Sequence, residues 1–328
     1  MTTLVQKLET AAKKFGSIAC FGMDPVPSQL PPDVTIEQVS IFYENILTEM
    51  KAQNVWPGAV KPNEGFYSKH DRKDEKLTFN GREELANVVD RAKQHELPVI
   101  FDAKRGDIGP SSQNYADEAK DVWNADAITI SPYLGTDSVE PFIKTGAAYV
   151  LCRTSNPGAK ELQNLHTIGE QNANNCVSAL ERLMQLKERP FTTDDAADLA
   201  NIHVQFMTAQ PLYLRVAQKI IDWDAINPEN IGAVVGATNI AELKSIAKYF
   251  VNSGKRIPLL IPGVGKQGGN AKEVIAALRE VGYDLNIVRI NSSSDLNFAW
   301  KKEGKPEEYA AASVRALKRL NDEIAYTP

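Results

Sequence analysis

Asp102 and Lys104 stand two residues apart at the end of the apolar run Val99–Phe101, inside the string Asp-Ala-Lys-Arg-Gly-Asp of residues 102–107. Residues i and i+2 of an extended chain share a face, so a strand here aims both side chains the same way, from a buried run into the mouth of whatever the strand belongs to. A purely structural ion pair is the competing reading. Burying such a pair gives doubtful net stability, because desolvation offsets attraction, and function is the better account. Arg105 and Asp107 read alone are solvated loop charges, and only the whole Asp-x-Lys-x-x-Asp string sets them apart. Two unit charges about 4 Å apart interact by about 1 kcal/mol in water and about 4 kcal/mol at an effective dielectric of 20, so a closed, dry site multiplies what an ammonium can do for developing negative charge. The second string with chemical content is Pro-Gly-Val-Gly-Lys-Gln-Gly-Gly, residues 262–269, with four glycines in eight residues ahead of a helix predicted over Ala271–Val281. Glycines there let backbone N–H groups surround a phosphate, helped by a helix N-terminus. A plain turn is the alternative.

These strings need a scaffold that brings strand ends together. Short apolar, β-branched runs alternate with amphipathic helical stretches, the pattern of βα units on a parallel sheet. The predicted strands are Ile18–Phe21, Ala59–Lys61, Val99–Lys104, Ala127–Ile130, Tyr149–Arg153, Ile231–Val235, Leu259–Ile261 and Ile287–Asn291. Eight is the number of a (β/α)8 TIM barrel, whose active site forms at the carboxyl ends of the strands. Apolar spacings of three and four, as in Val39, Phe42, Ile46 and Met50, or Leu243, Ile246 and Phe250, mark helices that pack outside it. The stretch Glu307–Ile324 closes the ring as the last helix. Residues 160–210 interrupt the pattern after strand 5: polar, with a helical patch at Val177–Leu186, they read as a helical insertion, either covering the mouth, making a subunit contact or forming a solvated excursion. No linker or repeat marks a second domain, so residues 1–328 are expected to form one elaborated barrel.

The chain has 328 residues, 43% hydrophobic and 24% charged, enough for a large core. A net charge of -5 and a pI near 5.6 argue against nucleic acid as a partner. The stretch Thr2–Lys14 is polar and of mixed charge, and no run approaches the roughly 18 apolar residues of a membrane span, so a cytoplasmic protein is expected. Cys20, Cys152 and Cys176 match neither a disulfide framework nor zinc spacing and are expected to be buried thiols; His70, His95, His166 and His203 show no metal-ligand pairing. No metal site is expected.

With Asp102–Ile108, Thr-Ser-Asn-Pro-Gly (154–158), Val-Gly-Ala-Thr (235–238) and the 262–269 loop in place, nearly the whole chain resembles the orotidine 5'-phosphate decarboxylase family, in its branch with the TSNPG and VGAT elements. The resemblance implies a barrel that needs no cofactor and makes UMP and CO2 from orotidine 5'-phosphate, the last step of UMP biosynthesis. Lys104 would protonate C6 as CO2 leaves, and Asp102 would sit near the departing carboxylate. Asp24 and Lys61 would bind ribosyl hydroxyls, and Ser155 would read the pyrimidine edge. Pro262, Gly263, Gly265 and Gln267 would line the phosphate. Asp107, with Ser111 where the family usually has Thr, would reach a neighbouring subunit's site, making a homodimer with shared active sites.

The match breaks after the eighth strand. The family commonly has Asn-Ser-Ser-Arg-Gly there, its Arg on the phosphate; this chain has Asn291, Ser292, Ser293, Ser294 and Asp295. Losing a guanidinium–phosphate contact weakens binding unless another cation replaces it. Arg289 and Lys266 are the candidates, against the alternative that Arg289 is structural and Lys266 solvated. Two rival functions remain: a metal-dependent enzyme of the same suprafamily acting on a sugar phosphate, and a nucleotide-binding protein that has lost catalysis.

Overall fold

The computed structural model describes residues 2–71, 79–187 and 189–327. Eight parallel strands are laid down in chain order: β1 Ala19–Met23, β2 Ala59–Pro62, β3 Ile100–Arg105, β4 Ala127–Ile130, β5 Ala148–Arg153, β6 Ile231–Val235, β7 Leu259–Ile261 and β8 Val288–Ser292. They pair in the order β2-β1-β8-β7-β6-β5-β4-β3. Parallel bridges Val60–Val99 and Asn63–Asp102 join the two outer strands, closing a (β/α)8 barrel. The predicted strands fall within a residue or two of these, and the predicted helical faces are buried as expected: Phe42, Ile46 and Met50 on Val39–Gln53, Leu243, Ile246 and Phe250 on Ile240–Ser253, and Val314, Leu317 and Ile324 on Tyr309–Ile324.

The strand period of two sorts the barrel interior into layers. The lower layer is apolar, with Cys20, Ala59, Ile100, Ala127, Tyr149, Val234 and Leu260 in one cluster. Two residues further along four of those strands stand Gly22, Lys61, Asp102 and Thr129, so the interior turns polar at the carboxyl end. The floor is closed by a helix that the polar reading of Thr2–Lys14 did not anticipate. Leu4–Phe15 starts on a Thr3/Gln6 capping box and turns Leu4, Val5, Leu8, Ala11 and Ala12 inward, with Leu4 and Leu8 joining the apolar cluster. Each leucine so buried contributes about 1.5–3 kcal/mol. The Cys20 thiol belongs to this dry layer, and burial pushes it up to about 12.

Arg289 belongs to the floor as well, which corrects the expectation that it could hold phosphate. It lies in the first half of β8 and is fully buried, donating to the carbonyls of Gly58 (3.1 Å), Asn286 (3.1 Å), Val288 (2.7 Å) and Leu8 (2.6 Å). Its guanidinium is thus spent on main-chain carbonyls of the barrel floor, and burial holds its pKa below the ordinary arginine value.

Residues up to Ser155 together with those from Lys219 onward form the compact barrel unit; Asn156–Gln218 form a second compact unit, somewhat wider than the predicted insertion. The second unit is a helical hairpin of Glu170–Met184 and Thr193–Met207, with a two-residue antiparallel ladder, His166–Thr167 against Gln210–Pro211. Arg182–Asp198 (2.6 Å) clips the hairpin, and Arg189–Asp195 (2.6 Å) fixes its turn. Among the described residues no helix is long and apolar enough to cross a membrane.

Arg289→Met should cost roughly 3 kcal/mol or more in urea unfolding, because it leaves several buried carbonyls without a donor.

Candidate active site

Above the apolar floor the barrel holds an alternating row of charges. Asp102 Oδ2 accepts from Lys61 Nζ (2.6 Å), and Asp102 Oδ1 accepts from Lys104 Nζ (2.6 Å) and from Thr129 Oγ1 (2.8 Å). Lys61 and Asp102 are buried, whereas the Lys104 side chain is 49% exposed, so Lys104 is the end of the row that a ligand can reach. Burial alone raises the Asp102 carboxyl, but the Lys61 and Lys104 ammoniums outweigh it and hold it well below the usual carboxylate range. Burial alone lowers Lys61, but Asp102 and Asp24 outweigh that and hold it above the ordinary lysine value. Both groups stay ionised across the range in which proteins work.

The same-face argument for Asp102 and Lys104 holds at the level of contact, though not through regular strand geometry. The β3–β4 register shifts between Phe101 and Arg105, and Lys104 takes φ 49°, in the left-handed region that a non-glycine residue seldom adopts. The Lys104 amide donates to Thr129 Oγ1 (3.0 Å), which fixes the kink. A strained residue of this kind costs about 1–3 kcal/mol, and bulges of this kind re-aim side chains. Here the bend returns the Lys104 ammonium over Asp102.

Across the mouth, the end of β1 carries Asp24. Its Oδ1 is buried with no hydrogen-bond partner, and burial raises its pKa while Lys61 opposes. The nearby Ser293 hydroxyl opposes the rise as well. The chain end is held from behind: Tyr67 Oη donates to Met23 O (2.8 Å), Asn297 Nδ2 donates to Gly22 O (2.6 Å), and Tyr43 Oη donates to Asn297 Oδ1 (2.7 Å). Gly22 is required by packing, because a Cβ there would lie 1.9 Å from Ser293 Oγ.

The Gly-rich loop closes on itself through Gly265 N to Gly269 O (3.0 Å), Gly268 N to Gly265 O (2.8 Å) and Gly269 N to Gly263 O (3.0 Å). Gly263, Gly265 and Gly268 have φ of 97°, 86° and 91°, which only glycine adopts cheaply. The following helix, Ala271–Glu280, begins with Asn270 Oδ1 accepting from the amides of Lys272 (2.9 Å) and Glu273 (3.4 Å), so two amides of its first turn are already capped. The helix N-terminus that the sequence reading added to the loop is therefore partly capped, and in the loop the amides of Gly265, Gly268 and Gly269 are used in holding its shape. Gln267 Oε1 lies 3.1 Å, and Ser155 Cβ 3.0 Å, from where a Cβ on Gly263 would be. Thr238 Oγ1 donates to Ser155 O (3.2 Å), so the three strings ending β5, β6 and β7 meet here with Pro262 at their base.

The remaining expected site residues lie elsewhere. Asp107 accepts from the Ile108 amide (2.8 Å) and, among the described residues, does not join the Lys61–Asp102–Lys104 row; Ser111 is exposed in the first turn of Gly109–Asp117. Arg105, read from sequence as a loop charge, is tied to Glu64 (2.8 Å) and Glu118 (3.2 Å) and lies over the Tyr115 ring. Lys266 is exposed on the Gly-rich loop. Lys302, which sequence reasoning missed, pairs with Asp295 (2.9 Å), whose other oxygen sits 2.0 Å from where a Cβ on Gly265 would be. These residues line a cavity of about 340 Å³ with Arg319. Nothing in the spacing of Lys302 pointed to it. Among the described residues no group of three or more His, Cys, Asp or Glu is placed to hold a metal ion.

A parallel barrel with a charged row and a Gly-rich loop at its carboxyl end is the framework of a (β/α)8 enzyme. A family model described as orotidine 5'-phosphate decarboxylase / HUMPS family matches residues 59–288. Orotidine 5'-phosphate decarboxylase of Bordetella pertussis is 32% identical over 326 residues, 98% of each chain, and that of Herpetosiphon aurantiacus 34% over 289 residues, 87% of each. The structure of Leishmania donovani OMP decarboxylase superposes with a TM-score of 0.63 at 25% identity, covering 98% of this chain and 99% of that one. The chain belongs to the orotidine 5'-phosphate decarboxylase / HUMPS family.

Asp102 contributes stability that is present above the unfolded carboxylate pKa of about 4 and is lost as pH falls below it toward the depressed folded value. Asp24, displaced upward by burial, works in the opposite sense over the same range. Asp102→Asn should remove the first contribution, leave Lys61 buried beside a neutral partner and cost roughly 3–5 kcal/mol. Urea unfolding of both proteins between pH 2 and 7 measures the loss, which should be full at neutral pH and shrink as pH falls below about 4.

Proposed function

We propose that this chain decarboxylates orotidine 5'-phosphate to UMP and CO2, the reaction for which its relatives are named, with Lys104 as the acid. The observation that carries the reading is the Lys104 ammonium, pinned to Asp102 on a left-handed backbone yet half exposed at the barrel mouth. Cleavage of the bond between C6 and the carboxylate leaves an electron pair on C6 with little delocalisation. An ammonium beside C6 stabilises that charge as it develops and then gives it a proton, forming the C6–H bond of UMP. Asp102 lies next to the departing carboxylate and holds Lys104 in line. Lys61 keeps Asp102 ionised and, with Asp24, binds the ribosyl hydroxyls.

Ser155 reads the pyrimidine edge, and the backbone around Pro262, Gly263 and Gly265 holds the phosphate with Gln267. Lys266 supplies the cation that the family takes from an Arg after β8. Phosphate binding far from C6 provides free energy for closing and drying the mouth, where each charge interaction grows. Asp107 and Ser111 lie outside the charged row of their own chain, which suits residues that complete a second subunit's site in a cytoplasmic homodimer.

Turnover of orotidine 5'-phosphate followed by absorbance tests the reading. Wild-type activity should be unaffected by EDTA, while Lys104→Ala should lose at least about 10³-fold in kcat, roughly 4 kcal/mol of transition-state stabilisation, and still bind UMP. EDTA-sensitive turnover would favour the sugar-phosphate branch, and UMP binding without turnover a protein that has lost catalysis.

If sites are shared, mixing Lys104→Ala with Asp107→Ala should restore about a quarter of wild-type activity, since half of the reassorted dimers carry one intact site of two. Two inactive variants that stay inactive after subunit exchange would argue for self-contained subunits.

A further inference from the structure

The barrel closes along the seam between β2 and β3, where the isolated bridges Val60–Val99 and Asn63–Asp102 take the place of a continuous ladder. The charged row crosses that seam, since Lys61 belongs to β2 and Asp102 to β3. A second ion pair crosses it as well. Glu64, the residue after Asn63, is buried and meets both terminal nitrogens of Arg105, Oε2 with Nη1 (2.8 Å) and Oε1 with Nη2 (2.9 Å). The Glu64 amide donates to Asp102 O (3.3 Å). One residue of β2's end thus grips the chain on both sides of Lys104, at the carbonyl two residues before it and at the guanidinium of the residue after it. Arg105 is steadied further by Glu118 (3.2 Å) and by the Tyr115 ring, whose centre lies 4.6 Å from the guanidinium carbon. The Arg105 carbonyl accepts from the Ser131 amide (2.7 Å), where β3 resumes its pairing with β4 beyond the register shift. A left-handed residue that is not glycine persists only where its surroundings over-determine it. Thr129 restrains the Lys104 amide, and the Arg105 fork restrains the next link of the chain.

We propose that Glu64 and Arg105 are positioning residues for the charged row: a two-pronged pair across the barrel seam that holds Lys104 in its left-handed turn and so keeps its ammonium over Asp102. The inference rests on the proposed function for the part that Lys104 plays in turnover. A guanidinium set against a carboxylate through two nitrogens fixes orientation as well as distance, which a lysine in the same place does only in part. Without the fork, residue 104 relaxes toward ordinary backbone geometry and its ammonium drifts from the place the reaction needs. A misplacement of about 1 Å costs on the order of 10²-fold in rate. Ligand binding, built from other strand ends, is left nearly as it was.

Turnover and amide hydrogen exchange in Arg105→Met, Arg105→Lys, Glu64→Ala and the double variant Arg105→Met/Glu64→Ala test this. Rates are expressed per site that binds UMP in calorimetric titration, so a partly unfolded sample does not distort them. Arg105→Met and Glu64→Ala should each lose on the order of 10–100-fold in kcat while binding UMP within about threefold of wild type. The double variant should lose no more than about threefold beyond the worse single one, because the two residues act as one unit. Arg105→Lys, which keeps the charge but not the fork, should fall between wild type and Arg105→Met. In Arg105→Met and Glu64→Ala the Lys104 amide should exchange at least about tenfold faster than in wild type, measured against the Ile290 amide of β8, which donates to Ile18 O (2.9 Å). Single variants whose kcat per site stays at the wild-type value, or whose Lys104 amide stays protected, would overturn the proposal. So would UMP affinity that falls as far as kcat, or losses that multiply in the double variant. Wild type that binds UMP and turns over nothing would count against the reaction itself, and exchange at Lys104 then decides by itself whether the pair holds the turn.

Discussion

The site depends on a lysine that is fully enclosed and still charged. Lys61 can keep its proton inside the barrel because Asp102 lies 2.6 Å away, and Asp102 can stay ionised because Lys61, Lys104 and Thr129 all donate to it. No member of this row is tolerable alone in that place, since an isolated buried charge loses its hydration without compensation. The barrel provides the frame: β2, β3 and β4 each pass from an apolar residue in the floor cluster to a polar one two positions on. The free energy that holds the row comes from the packing beneath it. The N-terminal helix and Arg289 are therefore part of the site's support, although neither approaches the mouth.

The fold was largely legible in the sequence because a parallel barrel writes itself as eight short apolar runs separated by amphipathic helices. The Asp102–Lys104 contact was expected from strand spacing, but it is made by the bend at Lys104, which spacing does not reveal. The N-terminal helix escaped notice because its buried face is interleaved with Lys7, Glu9, Lys13 and Lys14, so composition hides its spacing. Arg289 was misplaced for a different reason. Sequence fixes which side of a strand a residue takes, but not how far along the barrel axis its long side chain turns back. Lys302 was not picked out because it matters only through Asp295, which meets Gly265 on a loop some thirty residues away in the chain.

The departure after β8 has a structural counterpart. Where the family resemblance leads one to expect an Arg, this chain has Ser294, and the next residue, Asp295, lays its carboxylate against Gly265 with Lys302 on its far oxygen. A carboxylate beside the loop disfavours an approaching phosphate, and the Lys302 ammonium offsets part of that repulsion. The proposed phosphate site at this loop would thus depend more on backbone geometry, set by three left-handed glycines, than on a single guanidinium.

The account's central claim is that Lys104, not Lys61, faces the reacting carbon. A crystal structure with UMP measures this directly. The account places Lys104 Nζ within about 3.5 Å of C6, with Asp102 still bonded to both lysines. A pyrimidine ring bound elsewhere in the mouth, with C6 turned away from Lys104 and nearer another acid, would contradict it.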